Sequence, residues 1–136
     1  MIWMLDTNIL VYFINRNPGF NRIARRMSGR SPGELRLSAI TLAELRFGIE
    51  RGEFRAANQA ALEGLLEFIQ TDDFPAGAAA DFGEIKAALL SKGKSIGPYD
   101  LLIASHARHI RATLVTNNER EFRRVPDLSI QNWLKA

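Results

Sequence analysis

The chain has 136 residues, enough for one domain with a hydrophobic core and too few for two, so a single domain over residues 1–136 is expected. Hydrophobic residues make up 46% and charged residues 24%, which favours a folded globular protein and excludes a disordered one. The chain has no cysteine, which excludes disulfides and cysteine metal ligands, and its formal net charge is +3.

The amino terminus carries a strand signal followed by a helix signal. Residues 2–5 form a continuous apolar run, typical of a strand buried on both faces of a parallel sheet. Asp6, Thr7 and Asn8 are residue types that cap helices, and a helix is predicted from there to about Ile14.

No membrane span or signal peptide is predicted. The uninterrupted apolar run at residues 9–14 is far shorter than the roughly 20 residues that a membrane helix needs. Asp6 interrupts the apolar start, and no basic segment precedes it. A cytoplasmic protein is therefore expected.

The rest of the chain alternates between helix and strand signals, which predicts a three-layer α/β/α domain with a mainly parallel sheet of four or five strands. Apolar residues at helical spacing, glycine and proline breaks and β-branched runs define the elements. Helices are predicted over 20–27, about 42–51, about 55–68, about 76–92 and from 98 onwards, and strands at 35–37, 113–116 and 128–130.

Three acidic residues, Asp6, Glu44 and Asp100, lie far apart in sequence, each near the opening of a predicted helix. The strands or loops before those helices should end at the carboxyl edge of the sheet, where open α/β sheets bind ligands. Carboxylates about 4 Å apart repel each other by roughly 4 kcal/mol at an effective dielectric near 20, unless a cation lies between them. The sequence therefore predicts a metal site formed by these acids.

Each acid also has a structural interpretation. Asp6 is suited to cap the first helix, and Thr41-x-x-Glu44 matches a capping box. Pro98 fits the first position of a helix, so Asp100 would be a first-turn acid that complements the helix dipole.

Arginine is concentrated in two parts of the chain. A basic rim around an acidic pit would steer a polyanion towards it. The alternative is that these side chains are ordinary solvated helix surface. The residues concerned are Arg22, Arg25 and Arg26 early in the chain and Arg108, Arg111, Arg120, Arg123 and Arg124 late in it.

Four motifs occur in order, and together they span nearly the whole chain. They are Leu5-Asp6-Thr7-Asn8, Ser38-x-x-Thr41-x-x-Glu44, Pro98-Tyr99-Asp100 and Leu114-Val115-Thr116-Asn117-Asn118-x-x-Glu121-Phe122. In combination the motifs resemble the PIN-domain ribonucleases, specifically the VapC-type toxins of bacterial toxin–antitoxin pairs.

The resemblance implies an endoribonuclease with Asp6, Glu44 and Asp100 as ligands of Mg²⁺, or of Mn²⁺ in its place. Hard cations of this kind take oxygen ligands and lower the pKa of an attacking water. The resemblance further implies a toxin that cleaves RNA, with tRNA and rRNA loops both open as targets. Such a toxin inhibits translation until a small VapB-like antitoxin neutralises it, and it forms a homodimer.

One position departs from the family pattern. Many relatives have a fourth acid near Asn118, where this chain has an amide that orients a water but adds no charge. Asn118 is therefore included among the expected catalytic residues, with Glu119 and Glu121 as possible substitutes for the acid. Thr7 and Thr116 are expected as supporting hydroxyls and Ser38 as a helix cap. His106 and His109 are interpreted as packing or surface residues, since a metal-dependent reaction needs no histidine base.

Other function classes fit less well. Haloacid-dehalogenase-like phosphotransferases need a second aspartate two residues after the first, where this chain has Asn8, and response regulators need a late lysine. A non-catalytic binding module with the same fold and a nuclease acting on DNA both stay open, because nothing in the three acids reads the 2′-hydroxyl of RNA.

The early helices are rich in large apolar side chains. An apolar groove of this kind suits a helix from an antitoxin, and an arginine from that partner would reach the acidic pit. The alternative is that these side chains complete the core. The residues expected to be exposed anchors are Tyr12, Phe13, Phe20, Leu45, Phe47 and Ile49.

Overall fold

The computed structural model describes residues 1–135. Its strands are β1 (Trp3–Leu5), β2 (Leu35–Ser38), β3 (Gln70–Asp72), β4 (Thr113–Val115) and β5 (Ile130–Gln131). Its helices are α1 (Thr7–Ile14), α2 (Phe20–Met27), α3 (Ala39–Arg51), α4 (Arg55–Leu66), α5 (Ala78–Ser91), α6 (Pro98–His109) and α7 (Glu119–Phe122). No helix within residues 1–135 is long and apolar enough to cross a membrane.

The strands form one five-stranded sheet in the order β3-β2-β1-β4-β5, and every neighbouring pair is parallel. In the central strand β1, Trp3 pairs with Leu35 of β2, and Leu5 pairs with Val115 of β4. The carboxyl ends of β2, β1 and β4 therefore lie side by side at one edge of the sheet. The predicted fold class is confirmed.

The central strand β1 is buried on both faces, as its apolar run predicts. Trp3 and Leu5 belong to a core cluster that includes Ile9 of α1, Leu45 of α3 and buried residues of α2 and α4. Met4, between them, belongs to a second cluster formed with α5, α6 and α7. Since side chains alternate across a strand, the two clusters lie on opposite faces of the sheet and define three layers.

Helix α3 begins earlier than predicted, at Ala39 and not near Leu42. Ser38 is its N-cap, because the Ser38 Oγ accepts a hydrogen bond from the Ile40 amide at 3.1 Å. The capping box expected between Thr41 and Glu44 is therefore wrong. A capping box needs its threonine at the N-cap position, but Thr41 and Glu44 both lie inside α3, after its N-cap Ser38.

Strand β3 was not predicted, and β5 lies at Ile130–Gln131, slightly later than the predicted strand at 128–130. The polar sequence Gln-Thr-Asp of β3 lacks the apolar alternation that identifies a strand. It lies at an edge of the sheet, where an exposed strand has few apolar contacts to make. Helices α4 and α5 are each slightly shorter than predicted.

The set of expected exposed anchors is partly wrong. Leu45 and Ile49 are only 4% and 6% exposed, because they point from α3 into the core. Phe47, on the other side of α3, is 64% exposed as expected. The remaining three are partly buried against the same core or against one another: Tyr12, Phe13 and Phe20.

Candidate active site

Asp6 lies directly after β1, in the middle of the carboxyl edge, and is 1% exposed. Its Oδ1 accepts from the Ile9 amide at 2.9 Å and so caps α1. Its Oδ2 accepts from the hydroxyl of Thr116, the first residue after β4. The structural and functional interpretations of Asp6 are thus compatible, because one oxygen caps the helix and the other faces the neighbouring strand.

Burial raises the pKa of Asp6 to about 7. The hydrogen bonds from Thr116 and Ile9 oppose this effect, and the negative charges of Asp100 and Glu44 add to it. Asp6 therefore interacts electrostatically with both of the other predicted acids, although they come from distant parts of the chain.

Glu44 lies in the second turn of α3 and is partly buried. Its Oε1 accepts from the Thr7 hydroxyl at 2.6 Å, and the Thr7 and Thr41 hydroxyl oxygens are 3.4 Å apart. Thr7 is the first residue of α1, so this contact joins the start of α1 to α3. The expected supporting role of the Thr7 hydroxyl has a structural basis in this bond.

Asp100 lies in the first turn of α6, which begins with Pro98 as the sequence predicts. Burial is the largest cause that raises the pKa of Asp100, to about 6. The charges of Glu44 and Glu121 add to the effect of burial. A fourth carboxylate, Glu121, thus lies near this part of the site.

The structure distinguishes between the two possible substitutes for the fourth acid. Glu119 makes ion pairs with Arg123 and Lys135, and so is engaged away from Asp100, whose pKa it does not affect. Glu121 instead accepts at 2.8 Å from the side-chain amide of Asn118, whose backbone amide donates to the Thr116 hydroxyl at 2.9 Å. Asn118 therefore holds Glu121, and the short helix α7 brings both side chains to one face.

The donor chemistry of the cluster suits a hard divalent cation, since all four groups are carboxylates. Within residues 1–135, no three acidic, histidine or cysteine side chains are already arranged to hold a metal ion. Several of the oxygens accept hydrogen bonds instead, from Thr116, Thr7 and Asn118. The acids are therefore electrostatic neighbours held by hydroxyl and amide donors. The pKa values of Asp6 and Asp100 are raised first by burial and further by neighbouring carboxylates, and a cation would offset both effects.

The two histidines of α6 lie in different surroundings, one in the core and one at the surface. His106 is fully buried, and its Nδ1 lies 2.8 Å from the Ser38 Oγ. His109 is exposed and pairs with Asp81 of α5 at 3.0 Å.

The arginines do not form one uniform rim. Arg108 is only 11% exposed at its side chain and is paired with Asp81 and Glu84, so it is part of the α5–α6 contact. Arg22 is exposed, and it lines a cleft of 440 Å³ together with Tyr12 and Asn117. Asn117 directly follows Thr116, whose hydroxyl donates to Asp6.

A second, more apolar cleft of 370 Å³ lies between α1, α3 and the start of α4. Its apolar lining includes Val11, Ile14, Leu45 and Phe54, and Glu44 lies on its wall. Leu45 contributes to the cleft from a largely buried position, and Phe54 is 69% exposed. The cleft therefore runs from an apolar surface to one of the predicted acids.

The chain is similar to known proteins over nearly its whole length. The PIN domain family model matches residues 3–128. Ribonuclease VapC2 of Rickettsia felis is 42% identical over 137 residues, covering 99% of this chain and all of that protein. The tRNA(fMet)-specific endonuclease VapC of Shigella flexneri is 38% identical over 131 residues, covering 96% of this chain and 97% of that protein.

Solved structures agree with this assignment. A chain in the crystal structure of DNA-bound VapBC from Salmonella typhimurium matches with a TM-score of 0.89 and 37% identity, and the match covers 98% of each chain. The family model, the relatives and the shared fold all extend over the elements that carry the acidic cluster. This chain belongs to the PIN-domain family and, within it, to the VapC ribonucleases.

Proposed function

We propose that this protein is a Mg²⁺-dependent endoribonuclease and the toxin of a toxin–antitoxin pair, with Mn²⁺ as a substitute metal. The observation that carries the proposal is the convergence of Asp6, Glu44 and Asp100 at the carboxyl edge of the sheet, where the charges of Glu44 and Asp100 add to burial in raising the pKa of Asp6, and the charge of Glu44 adds to burial in raising that of Asp100. Carboxylates that are buried beside like charges are destabilising for the fold unless they serve a cation. The proposed setting is the cytoplasm, where its RNA substrates are used in translation.

In the proposed site, Asp6, Glu44 and Asp100 hold the metal ion, and Glu121 is an additional carboxylate beside Asp100. When bound, the ion supplies Lewis-acid stabilisation of the phosphodiester and lowers the pKa of an attacking water. Thr116 orients Asp6 through its hydroxyl, and Asn118 orients Glu121 through its amide. The raised pKa values of Asp6 and Asp100 mean that protons compete with the metal for these carboxylates near neutral pH.

The cleft lined by Arg22, Tyr12 and Asn117 supports single-stranded or loop RNA as the substrate. Arg22 offers a cation for a phosphate, Tyr12 an aromatic side chain and Asn117 an amide, a combination that suits an unpaired nucleotide. The relative from Shigella flexneri is named as specific for tRNA(fMet), which makes initiator tRNA the first substrate to test.

The apolar cleft supports neutralisation by a small VapB-like antitoxin. A helix with apolar side chains at every third or fourth position would fill the surface formed by Val11, Ile14 and Phe54. Because Glu44 lies on the wall of this cleft, an arginine on that helix would reach the acids and exclude metal or substrate. A homodimer is proposed as the form of the toxin that the antitoxin binds.

The central test is RNA cleavage by the purified protein. We expect initiator tRNA to be cut only with Mg²⁺ or Mn²⁺, leaving 5′-phosphate and 3′-hydroxyl ends. Asp6→Asn, Glu44→Gln and Asp100→Asn should each abolish the cleavage. Glu63→Gln, which changes an exposed acid on α4, is the matched control and should retain it. Cleavage that persists in excess EDTA, or a 2′,3′-cyclic phosphate product, would refute the proposed chemistry.

Partner binding has a separate test. Phe54→Glu should weaken the complex with the small protein encoded next to this gene, because it places a charge in the apolar cleft. The same variant should still cleave RNA, which separates docking from catalysis. Phe68→Glu, at another exposed phenylalanine outside this cleft, is the control. Light scattering that shows a monomer at tens of micromolar would contradict the homodimer.

A further inference from the structure

The fully buried pair of Ser38 and His106 joins two of the helices that carry the proposed metal ligands. Ser38 ends β2 and caps α3, the helix of Glu44. His106 belongs to α6, the helix of Asp100, and its Nδ1 is 2.8 Å from the Ser38 Oγ. Among the hydrogen bonds within residues 1–135, this is the side-chain link between the start of α3 and α6.

The hydrogen bond between Ser38 and a neutral His106 is compatible with either tautomer of the ring. Burial lowers the pKa of His106, so the ring is neutral at neutral pH. The Ser38 oxygen accepts from the Ile40 amide and has a second lone pair and a hydroxyl hydrogen left, so it either donates to an unprotonated Nδ1 or accepts from a protonated one. In both tautomers the bond joins the same two residues, and Nε2 lies on the far side of the imidazole.

Packing alone does not account for a histidine at this place. Its Nε2 is buried and has no hydrogen-bond partner among residues 1–135. The ring packs edge-to-face against that of Phe74, at 77° and with the ring centroids 5.6 Å apart. A leucine would fill this space without leaving a buried polar atom unpaired, which is costly to stability.

The other polar contacts of α6 lead away from α3. Arg108 and His109 both pair with Asp81, which ties α6 to α5. If the bond with Ser38 were lost, α6 would keep its attachment to α5 but lose its polar attachment to α3.

We propose that His106 is a positioning residue, which fixes α6 against the start of α3 and thereby fixes Asp100 relative to Glu44. The consequence for cleavage rests on the proposed metal-dependent function, but the positioning itself does not. His106 acts through Ser38 and the two helices, without touching the substrate. Small displacements of groups that must act together reduce the rate far more than the binding of substrate.

Two substitutions separate positioning from packing. His106→Leu keeps an apolar side chain and removes both the hydrogen bond and the unpaired Nε2. His106→Asn keeps a polar atom close to the position of Nδ1. His109→Leu changes the other histidine of α6, which contacts Asp81 and not α3, and is the matched control.

For His106→Leu, we expect kcat to fall roughly tenfold or more while KM changes less than about twofold. The melting temperature in EDTA should not fall, because the unpaired nitrogen is gone. His106→Asn should recover most of kcat, and His109→Leu should keep it. Full kcat in His106→Leu, or a loss of kcat that follows a loss of melting temperature and that asparagine does not recover, would overturn the proposal.

A distance measurement decides the positioning even if wild-type protein cleaves no RNA and the proposed function fails. Because the chain has no cysteine, spin labels can be placed through Arg46→Cys on α3 and Tyr99→Cys on α6, both exposed. In metal-free protein, the distance distribution should be narrow for wild type and His106→Asn and broader for His106→Leu. An identical distribution in all three would overturn the proposal.

Discussion

Asp6 and Asp100 are both acids of the proposed site with raised pKa values, but the protein holds them in opposite ways. Asp6 is 1% exposed and uses both carboxylate oxygens, one for the Ile9 amide and one for the Thr116 hydroxyl. Asp100 is partly exposed and accepts no side-chain hydrogen bond from residues 1–135, while Glu44 and Glu121 repel it. The fold therefore depends on the side chain of Asp6 and only tolerates that of Asp100.

Asp6 and Asp100 represent two kinds of site residue. A buried acid that also caps a helix is required for structure and chemistry together. A half-buried acid among like charges contributes repulsion to the metal-free fold, so its presence is explained by the chemistry alone.

The largest expected effect is on stability, and it falls on one acid only. Asp6→Ala removes the cap of α1 and leaves the Ile9 amide and Thr116 hydroxyl without their partner. At pH 4, where Asp6 is protonated in the fold and its burial costs little, we expect the free energy of unfolding in EDTA to fall by about 2–4 kcal/mol. Asp100→Asn should leave it unchanged at pH 4 and slightly higher at neutral pH, where one member of a repelling cluster is neutralised. Urea titration measures both, and a clear loss of stability in Asp100→Asn would contradict the comparison.

The second prediction concerns the pH dependence of stability without metal. The pKa of Asp6 is about 7 in the fold and 3.8 as an unperturbed group, so folding favours its protonated form. The stability that this proton provides is fully present below pH 3.8 and is lost as the pH rises through about 7. In EDTA, Asp6→Asn should therefore gain stability relative to wild type by up to about 1.4 kcal/mol per pH unit between these values.

The burial that lowers the pKa of His106 has the opposite sign and reduces stability as the pH falls below its ordinary value. This contribution is the same in wild type and in Asp6→Asn, so the difference between the two isolates Asp6. Saturating Mg²⁺ should remove the advantage of the asparagine, because the metal requires the ionised carboxylate. A difference that is constant from pH 4 to pH 8 would contradict the assignment.

The third prediction uses the two glutamates of α7 as a matched pair. Glu121→Gln removes a charge that raises the pKa of Asp100, so that pKa should fall, and Mg²⁺ should bind roughly tenfold more weakly. Glu119→Gln, which affects a residue paired with Arg123 and Lys135, should change neither quantity. Carbon-13 NMR of the Asp100 carboxyl and calorimetry provide the two measurements. Equal effects of the two substitutions would show that Glu121 is not part of the site.

The elements of the fold that the sequence predicts are those whose signals lie within a few neighbouring residues. The apolar run before Asp6 and the proline before Asp100 are local signals, and both elements occur where they predict them. Strand β3 has no such signal, because an edge strand needs little apolar surface and its pairing is set by β2.

The same distinction applies to the site. The sequence offers Glu119 and Glu121 as equal alternatives, and only the direction of α7 relative to Asp100 separates them. Likewise, the link between Ser38 and His106 joins residues 68 positions apart, and no local pattern identifies it. The sequence therefore does not predict hydrogen bonds between polar side chains that lie far apart along the chain.

The smallest expected effect concerns Thr116, whose hydroxyl connects Asp6 to the segment that carries Asn118. Its hydroxyl donates to Asp6 and accepts from the Asn118 amide, so Thr116→Val removes both bonds at nearly constant volume. The bond to Thr116 lowers the pKa of Asp6, so its loss should raise that pKa further and move the acid limb of the cleavage profile to higher pH. Stability should fall by only about 1 kcal/mol, since the cap of α1 is kept. Thr113→Val, at the other end of β4, is the control and should leave the profile in place. An acid limb that does not move in Thr116→Val would mean that Asp6 does not govern the pH dependence of cleavage.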